Sequence, residues 1–272
     1  MKRRDFVSEF LVGGTLLKTR GFNISQRAGS PPQGVSPTLT EGVFVERAAS
    51  GKPHAGKVLA AIQPHTDDIP IFAGGTVAKL VGEGYTGYLI RFLKIDTIVC
   101  YDPWGIYEEN PDHYVTAQVV EAACWMAGMD LDYPEQMAAG LQPHAVKGKY
   151  YFARGPQIAN RVVDISPWID RKVEANLANK TQGPCGENGA RLRSRLASQK
   201  LRLPILGPDD DAANRAYIKN IVLDYDSLSQ RGVLSDRELG RRFGLEWAEA
   251  FHYIGPQESQ LERYISERAV AI

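Results

Sequence analysis

The sequence has no surplus of charge of either sign, little cysteine and no long apolar run. Lys plus Arg and Asp plus Glu number 32 each, so there is no basic footprint for nucleic acid and no acidic tail. The 3 cysteines, Cys100, Cys124 and Cys185, are widely spaced and form no paired metal-binding pattern. Cys100 falls in a strand candidate and Cys124 on an apolar helix face, which reads both as buried thiols. No apolar stretch is long enough to span a bilayer. At 272 residues the chain can bury one full core.

What is there centres on residues 57–75, KVLAAIQPHTDDIPIFAGG. Residues 58–62 form a short apolar run that suits a buried strand. His65, Asp67 and Asp68 follow where that strand should end, and residues 69–82 suit a helix. Open α/β sheets place their ligand sites at such strand-to-helix turns. An imidazole with two acids can hold a borderline metal and keep one acid as a base. On these residues alone a second reading stands beside it, a loop in which Asp67 or Asp68 caps the helix and His65 is solvated.

The pattern recurs. Residues 97–101, TIVCY, read as a strand. They run into Asp102-Pro103-Trp104-Gly105 and Glu108-Glu109-Asn110-Pro111-Asp112-His113, then a helix over 114–126. Side by side, two such strand ends would bring His113 to His65 and Asp68. Taken alone, His113 reads as a solvated histidine at a helix start.

PHTDD followed by an apolar, Gly-rich helix, with DPWGIYEENPDH downstream, resembles the zinc-dependent de-N-acetylases of the PIG-L or LmbE-like family. Their first motif reads His-Pro-Asp-Asp-Glu and their second His-Pro-Asp-His. The resemblance extends from about Val58 to the FHYIG near the C-terminus. It implies Zn2+ on His65, Asp68 and His113, with Asp67 as general base. It also implies hydrolysis of an N-acetyl group, usually from an N-acetylglucosamine unit, so the expected partner is a small N-acetylated sugar. Thr66 replaces the family's proline and Ile69 its glutamate. Asn110 stands where the family often has a histidine that helps stabilise the oxyanion. An amide can donate a hydrogen bond there but cannot carry a proton charge.

The implied fold is α/β: a Rossmann-like, mostly parallel sheet with helices on both faces and a C-terminal helical extension. Strand 58–62, helix 69–82 and strand 86–91 make a βαβ unit. Only five residues, 92–96, then precede the strand at 97. Parallel neighbours need a crossover of roughly a dozen residues. Against the family, an internal segment is missing between Arg91 and Phe92, including the polar loop that lines the substrate site. Such a loss would leave an exposed edge or apolar surface. Residues 88–101 as one bent strand or hairpin are the other possibility. A catalytically weak or inactive member that binds metal or sugar is therefore the alternative to a working enzyme.

Further along, 130–142 reads as a polar loop, and 149–153 and 161–165 as strands. Residues 166–180 read as a helix capped by Ser166 with Pro167 at its first position. Helices follow at 191–199 and 212–223, the latter headed by Asp209-Asp210-Asp211 as caps rather than metal ligands. Arg191, Arg193 and Arg195 form either a solvated face or an anionic-substrate contact. A short helix at 235–243, a strand at 247–254 and a polar tail complete the chain. His144 reads as a surface histidine and His252 as structural.

Residues 1–20 carry Arg3-Arg4 before a weakly apolar run, which resembles a twin-arginine export signal. Residues 23–40 are rich in Ser, Pro, Gly and Gln and read as a linker. The domain then starts near Glu41. Use of the signal would make the protein periplasmic or extracellular, and disuse cytoplasmic. Deleting residues 1–36 is expected to move the melting midpoint by less than about 2 °C, the lower end of the shift that about 1 kcal/mol gives a domain of this size. A large drop in a thermal melt would show that these residues pack on the domain.

Overall fold

A strand covered on both sides must be apolar at every position, and Thr97–Tyr101 is buried throughout. It lies inside a sheet of seven strands: β1 Leu39–Glu46, β2 Val58–Ala61, β3 Thr86–Gly87, β4 Thr97–Tyr101, β5 Gly148–Phe152, β6 Ala159–Asp164 and β7 Ala248–Ile254. The structure is a computed structural model that describes residues 39–87, 94–106, 108–180, 182, 186–224, 232–256 and 260–270. The export-signal reading, nearly all of the linker, Cys185 and the Arg91–Phe92 junction lie outside the described residues. What is described belongs to the unit Gly34–Ile272.

The strand order is β1-β6-β7-β5-β4-β2-β3. β3, β2, β4 and β5 run parallel, as do β1 and β6. β7 enters antiparallel between β5 and β6. The fold is thus α/β with a mostly parallel sheet. The C-terminal part also supplies this inserted strand, in addition to its helices.

The helices are α1 Asp68–Phe72, α2 Gly74–Gly82, α3 Pro111–Ala127, α4 Pro134–Ala138, α5 Ile169–Ala178, α6 Asn188–Ser198, α7 Asp210–Tyr217, α8 Asp236–Arg242 and α9 Gln260–Arg268. Alternation along the strands assigns them to two faces. Leu59, Val99, Tyr101, Tyr150 and Phe152 share a core with Leu80 of α2 and Val173 of α5. Ala60, Ile98, Cys100 and Tyr151 point the other way, where Val120 and Cys124 of α3 cover them. Both thiols are free. Burial pushes Cys124 up to about 11 and Cys100 well above its ordinary value.

Several local expectations shift. The 69–82 helix is two helices broken at Ala73. α3 starts at Pro111 rather than Tyr114, because Asn110 Oδ1 accepts the Asp112 N–H and Pro111 suits the first turn. The loop at 130–142 contains α4. Ser166 does not cap α5; it opens a 3₁₀ turn, Ser166–Trp168, and its hydroxyl donates to Asp164 Oδ1 at 2.6 Å. The helix expected at 212–223 is α7 followed by a π-helical turn, Ile218–Val222. Asp209 caps α7 through the Ala212 N–H at 2.8 Å, as its position predicts.

Two buried lysines hold the α2 side together. Lys79 donates to Glu46 at 2.7 Å and to Glu83 at 2.8 Å. Burial pushes the Glu46 carboxyl up, but Lys79 and Arg161 outweigh it and leave it below its ordinary value. Fully buried Lys172 on α5 reaches Glu249 of β7 at 2.7 Å and Asp236 of α8 at 2.6 Å. Glu249 also accepts the Gly75 and Thr76 N–H groups, at 2.9 and 2.8 Å, and so caps α2 from the sheet. Burial disfavours the charged Lys172, and the two acids reverse this and raise its pKa. Lys172→Met leaves both acids without their cation and is expected to cost about 3–5 kcal/mol. Urea titration of the purified variant checks this, and a loss near zero would show that the network is not built as described.

Candidate metal centre

β2 ends at Ala61, with one further bond from the Ile62 N–H to the Val99 carbonyl, and the chain then turns. Asp68 Oδ2 accepts the His65 backbone N–H at 2.9 Å, and Gln63 Oε1 accepts the Ile69 N–H at 2.8 Å. This turn puts His65, Asp67 and Asp68 at the carboxyl end of β2, beside the end of β4. β4 ends at Tyr101, and α3, whose first turn carries His113, begins at Pro111. Parallel pairing of β2 with β4 therefore brings the two turns together, as the repeated pattern predicts.

His65, Asp68 and His113 offer ligand atoms that all lie within 4.8 Å of one another. His65 Nδ1 lies 3.0 Å from His113 Nε2. Asp68 Oδ2 lies 3.6 Å from His65 Nδ1, and Oδ1 lies 3.6 Å from His113 Nε2. Ligands of a tetrahedral ion with bonds of about 2 Å are separated by about 3.3 Å, which these distances bracket. The far side of each ring meets a carboxylate. His65 Nε2 is 3.1 Å from Asp112 Oδ2. His113 Nδ1 is 3.2 Å from Glu108 Oε1, although off the line of a straight hydrogen bond. Carboxylates behind the rings draw the ring protons outward and leave lone pairs facing the shared point. Two imidazole lone pairs and a carboxylate aimed at one point repel unless a cation lies among them. The residues present therefore fit a metal ion.

Behind this group stands a supporting layer. Tyr101 donates to Asp68 Oδ1 at 3.0 Å and stacks on His113, ring centroids 4.1 Å apart. Burial pushes the Tyr101 phenol far up, which keeps it a donor. Burial also raises Asp68. The His65 N–H, His113 and Tyr101 pull it back down, and neighbouring Asp67 adds to the rise. Arg154, just past β5, grips Glu108 through three contacts of 2.8–3.2 Å. Burial raises Glu108, but Arg154, the Asn110 N–H and His113 prevail and hold it below its ordinary value. Tyr101, Glu108, Asp112 and Arg154 carry no individual role in the sequence reading. The available signal is that Arg154 follows a third parallel strand, at the same edge of the sheet.

Asp67 precedes α1 and is half-buried. Its side chain makes no cap bond and, among the described residues, no other hydrogen bond or ion pair, so the capping alternative does not describe it. Asn110 divides its amide, with Oδ1 on the Asp112 N–H at 3.0 Å and Nδ2 3.2 Å from His113 Nε2. Thr66 bonds Gln182 and Asn179 at the mouth. The other histidines lie apart. His144 Nε2 is 3.0 Å from the Ile95 carbonyl, and His252 Nδ1 is 3.5 Å from Asp102. Arg191 and Arg193 pair with Glu187 and Asp210 on the surface. Among the described residues, no helix is long and apolar enough to cross a membrane.

No family profile matches the chain. A diacetylchitobiose deacetylase from Thermococcus kodakarensis is 30% identical over 97 residues. That match covers 35% of this chain and 35% of the relative, so the chain spans about a third of that protein's length. Among solved structures, N,N′-diacetylchitobiose deacetylase from Pyrococcus horikoshii aligns with a TM-score of 0.46 and 17% identity, over 74% of this chain and 84% of that one. GalB, the 4-carboxy-2-hydroxymuconate hydratase from Pseudomonas putida, aligns with a TM-score of 0.45 and 13% identity, over 75% of this chain and 98% of that one.

If the ligands are those named, His113→Ala is expected to remove most bound metal, whereas His144→Ala and His252→Ala retain it. Glu108→Gln is expected to weaken metal affinity about 10–100-fold by loosening the support of His113. Elemental analysis and metal titration of the four proteins check this. Equal losses in all four would mean a different ligand set.

Proposed function

We propose that the chain is a zinc-dependent hydrolase that removes the N-acetyl group from an N-acetylglucosamine-type glycoconjugate. The carrying observation is the convergence of His65, Asp68 and His113 beside Asp67, a carboxylate that makes no hydrogen bond or ion pair among the described residues. The matched segment of a diacetylchitobiose deacetylase supports the same reaction class. Two imidazoles and one carboxylate favour zinc over the harder cations. Bound there, zinc supplies Lewis-acid polarisation of the acetyl carbonyl and a lowered pKa for the attacking water.

The chain's own residues do the rest. Asp67 takes the proton of the attacking water and returns it to the leaving amine, giving acetate and a free amino sugar. Asn110 turns its Nδ2 donor toward the amide oxygen as negative charge develops there. Tyr101, Asp112 and Glu108 fix the orientations of Asp68, His65 and His113. If the twin-arginine segment is used, the activity lies outside the cytoplasm.

A second reading, metal or sugar binding with weak or absent turnover, is favoured by Asn110. Its Oδ1 is committed to the α3 cap, and an amide cannot carry the charge of an imidazolium. The internal segment expected between Arg91 and Phe92 points the same way, since loss of a substrate-positioning loop forfeits much of the rate.

Metal analysis with an acetate-release screen on N-acetylglucosamine conjugates separates the two readings. Asp67→Asn is expected to keep its metal and lose about 10²–10⁴-fold in kcat. Undiminished release by Asp67→Asn or by metal-stripped protein would overturn the hydrolase mechanism. Full metal content with no release from any conjugate would select the binder.

A further inference from the structure

α3 is apolar on both sides. At 100° per residue, His113, Ala117, Val120 and Cys124 form the stripe that faces the sheet. The opposite half carries Tyr114, Val115, Val119, Ala122, Trp125 and Met126, with Gln118 and, in the first turn, Asp112 as its polar side chains. Val115 is 49% exposed, Val119 61% and Trp125 64%. A helix that is apolar all round is normally covered on all sides. Among the described residues, this one is covered on one side only.

The charge at its first turn, Asp112, is paired with His65 Nε2 at 3.1 Å. Glu121 is the one acid between His113 and Asp130, and it turns inward, onto Lys149 at 2.9 Å and the Tyr151 hydroxyl. The surface continues past the helix end, because the Tyr133 hydroxyl donates to Met126 Sδ at 3.6 Å. Met129, Leu131 and Tyr133 are also exposed. Together these side chains leave on the order of 800 Å² in water, about what each partner contributes to a standard stable interface.

We infer that this face of α3 binds the same face of a second copy of the chain, giving a two-fold dimer with the two α3 helices antiparallel. An isologous contact must be self-complementary. With the two-fold axis near residue 120, Trp125 of each copy lies opposite Val115 of the other. The small Ala122 residues make room near the axis. A lipid surface fits worse. Helices that lie on membranes carry Lys and Arg beside the apolar face, whereas this stripe is flanked by Asp112, Asp130, Asp132 and Glu135. The chemistry at His65, Asp68 and His113 plays no part in this inference.

Multi-angle light scattering of the full chain at micromolar concentration is expected to give the mass of two chains. Val119→Arg places a charge at the centre of the contact and should give one chain. Because Val119 points to water in the monomer, its melting curve checks that the variant stays folded, and Val119→Ser should weaken the dimer without introducing a charge. Leu201→Arg, an equally exposed site elsewhere, should leave the dimer intact. A wild-type monomer, a dimer indifferent to Val119→Arg, or a monomer that sediments with anionic vesicles would each overturn the assignment.

Discussion

The arrangement rests on one buried carboxylate. Glu249 lies on the inserted antiparallel strand, accepts two backbone N–H groups at the start of α2 and meets the ammonium of Lys172. It thereby ties the sheet to α2 and α5, and through Lys172 to α8. The Gly74-Gly75 pair follows from it. To seat the first turn of α2 on this carboxylate, the backbone passes so close to the sheet end that a Cβ on Gly75 would stand 2.7 Å from Ile165. The glycines of the first motif thus serve helix-to-sheet packing. They do not line the metal centre.

This also explains which parts of the fold were legible in the sequence. β2 and β4 are readable because each is a short apolar run that stops at a polar turn, and their burial leaves no other use for such a run. The meeting of His65, Asp68 and His113 follows from parallel pairing, so that much of the site was legible as well. The break at Ala73 was not, because the group that starts α2 there comes from residue 249. The insertion of β7 between β5 and β6 was not legible either. WAEAFHYI alternates as a strand should, but alternation does not name the neighbours on each side. Arg154 and Glu108 were hidden for the same reason: they meet across 46 residues of chain. The start of α3 was readable and was placed late. Asn110 followed by Pro111 is a cap and a first helical residue.

The candidate metal centre is organised by what stands behind His65, Asp68 and His113. Each imidazole has a carboxylate at its outer nitrogen, and Asp68 has the Tyr101 hydroxyl and a backbone N–H. Glu108 does this work while held down by Arg154, so it remains ionised next to a buried ring. Asp67 differs from all of these, because among the described residues nothing engages its carboxylate. Beside His65 and Asp68, whose side chains are both engaged, it is the carboxylate with no bond of its own. Asn110 sits between the two kinds. One end of its amide starts α3 and the other faces His113, so the residue cannot be changed without disturbing the start of the helix that carries His113.

α3 is where these constraints meet. Its first turn brings His113 to the site, and its inner stripe fixes that turn by packing Val120 and Cys124 on the sheet. Glu121 adds a polar anchor through Lys149 and Tyr151. The position of His113 therefore depends on how firmly α3 sits against the sheet. The outer face contributes nothing to that seating in a single chain, and exposing it to water offers no gain for binding metal. A second copy over that face would clamp α3 from outside and restrict the rocking that would otherwise move His113 relative to His65. The same helix then has reason to be apolar on both sides, one to hold the ligand in register with the sheet and the other to hold the helix itself.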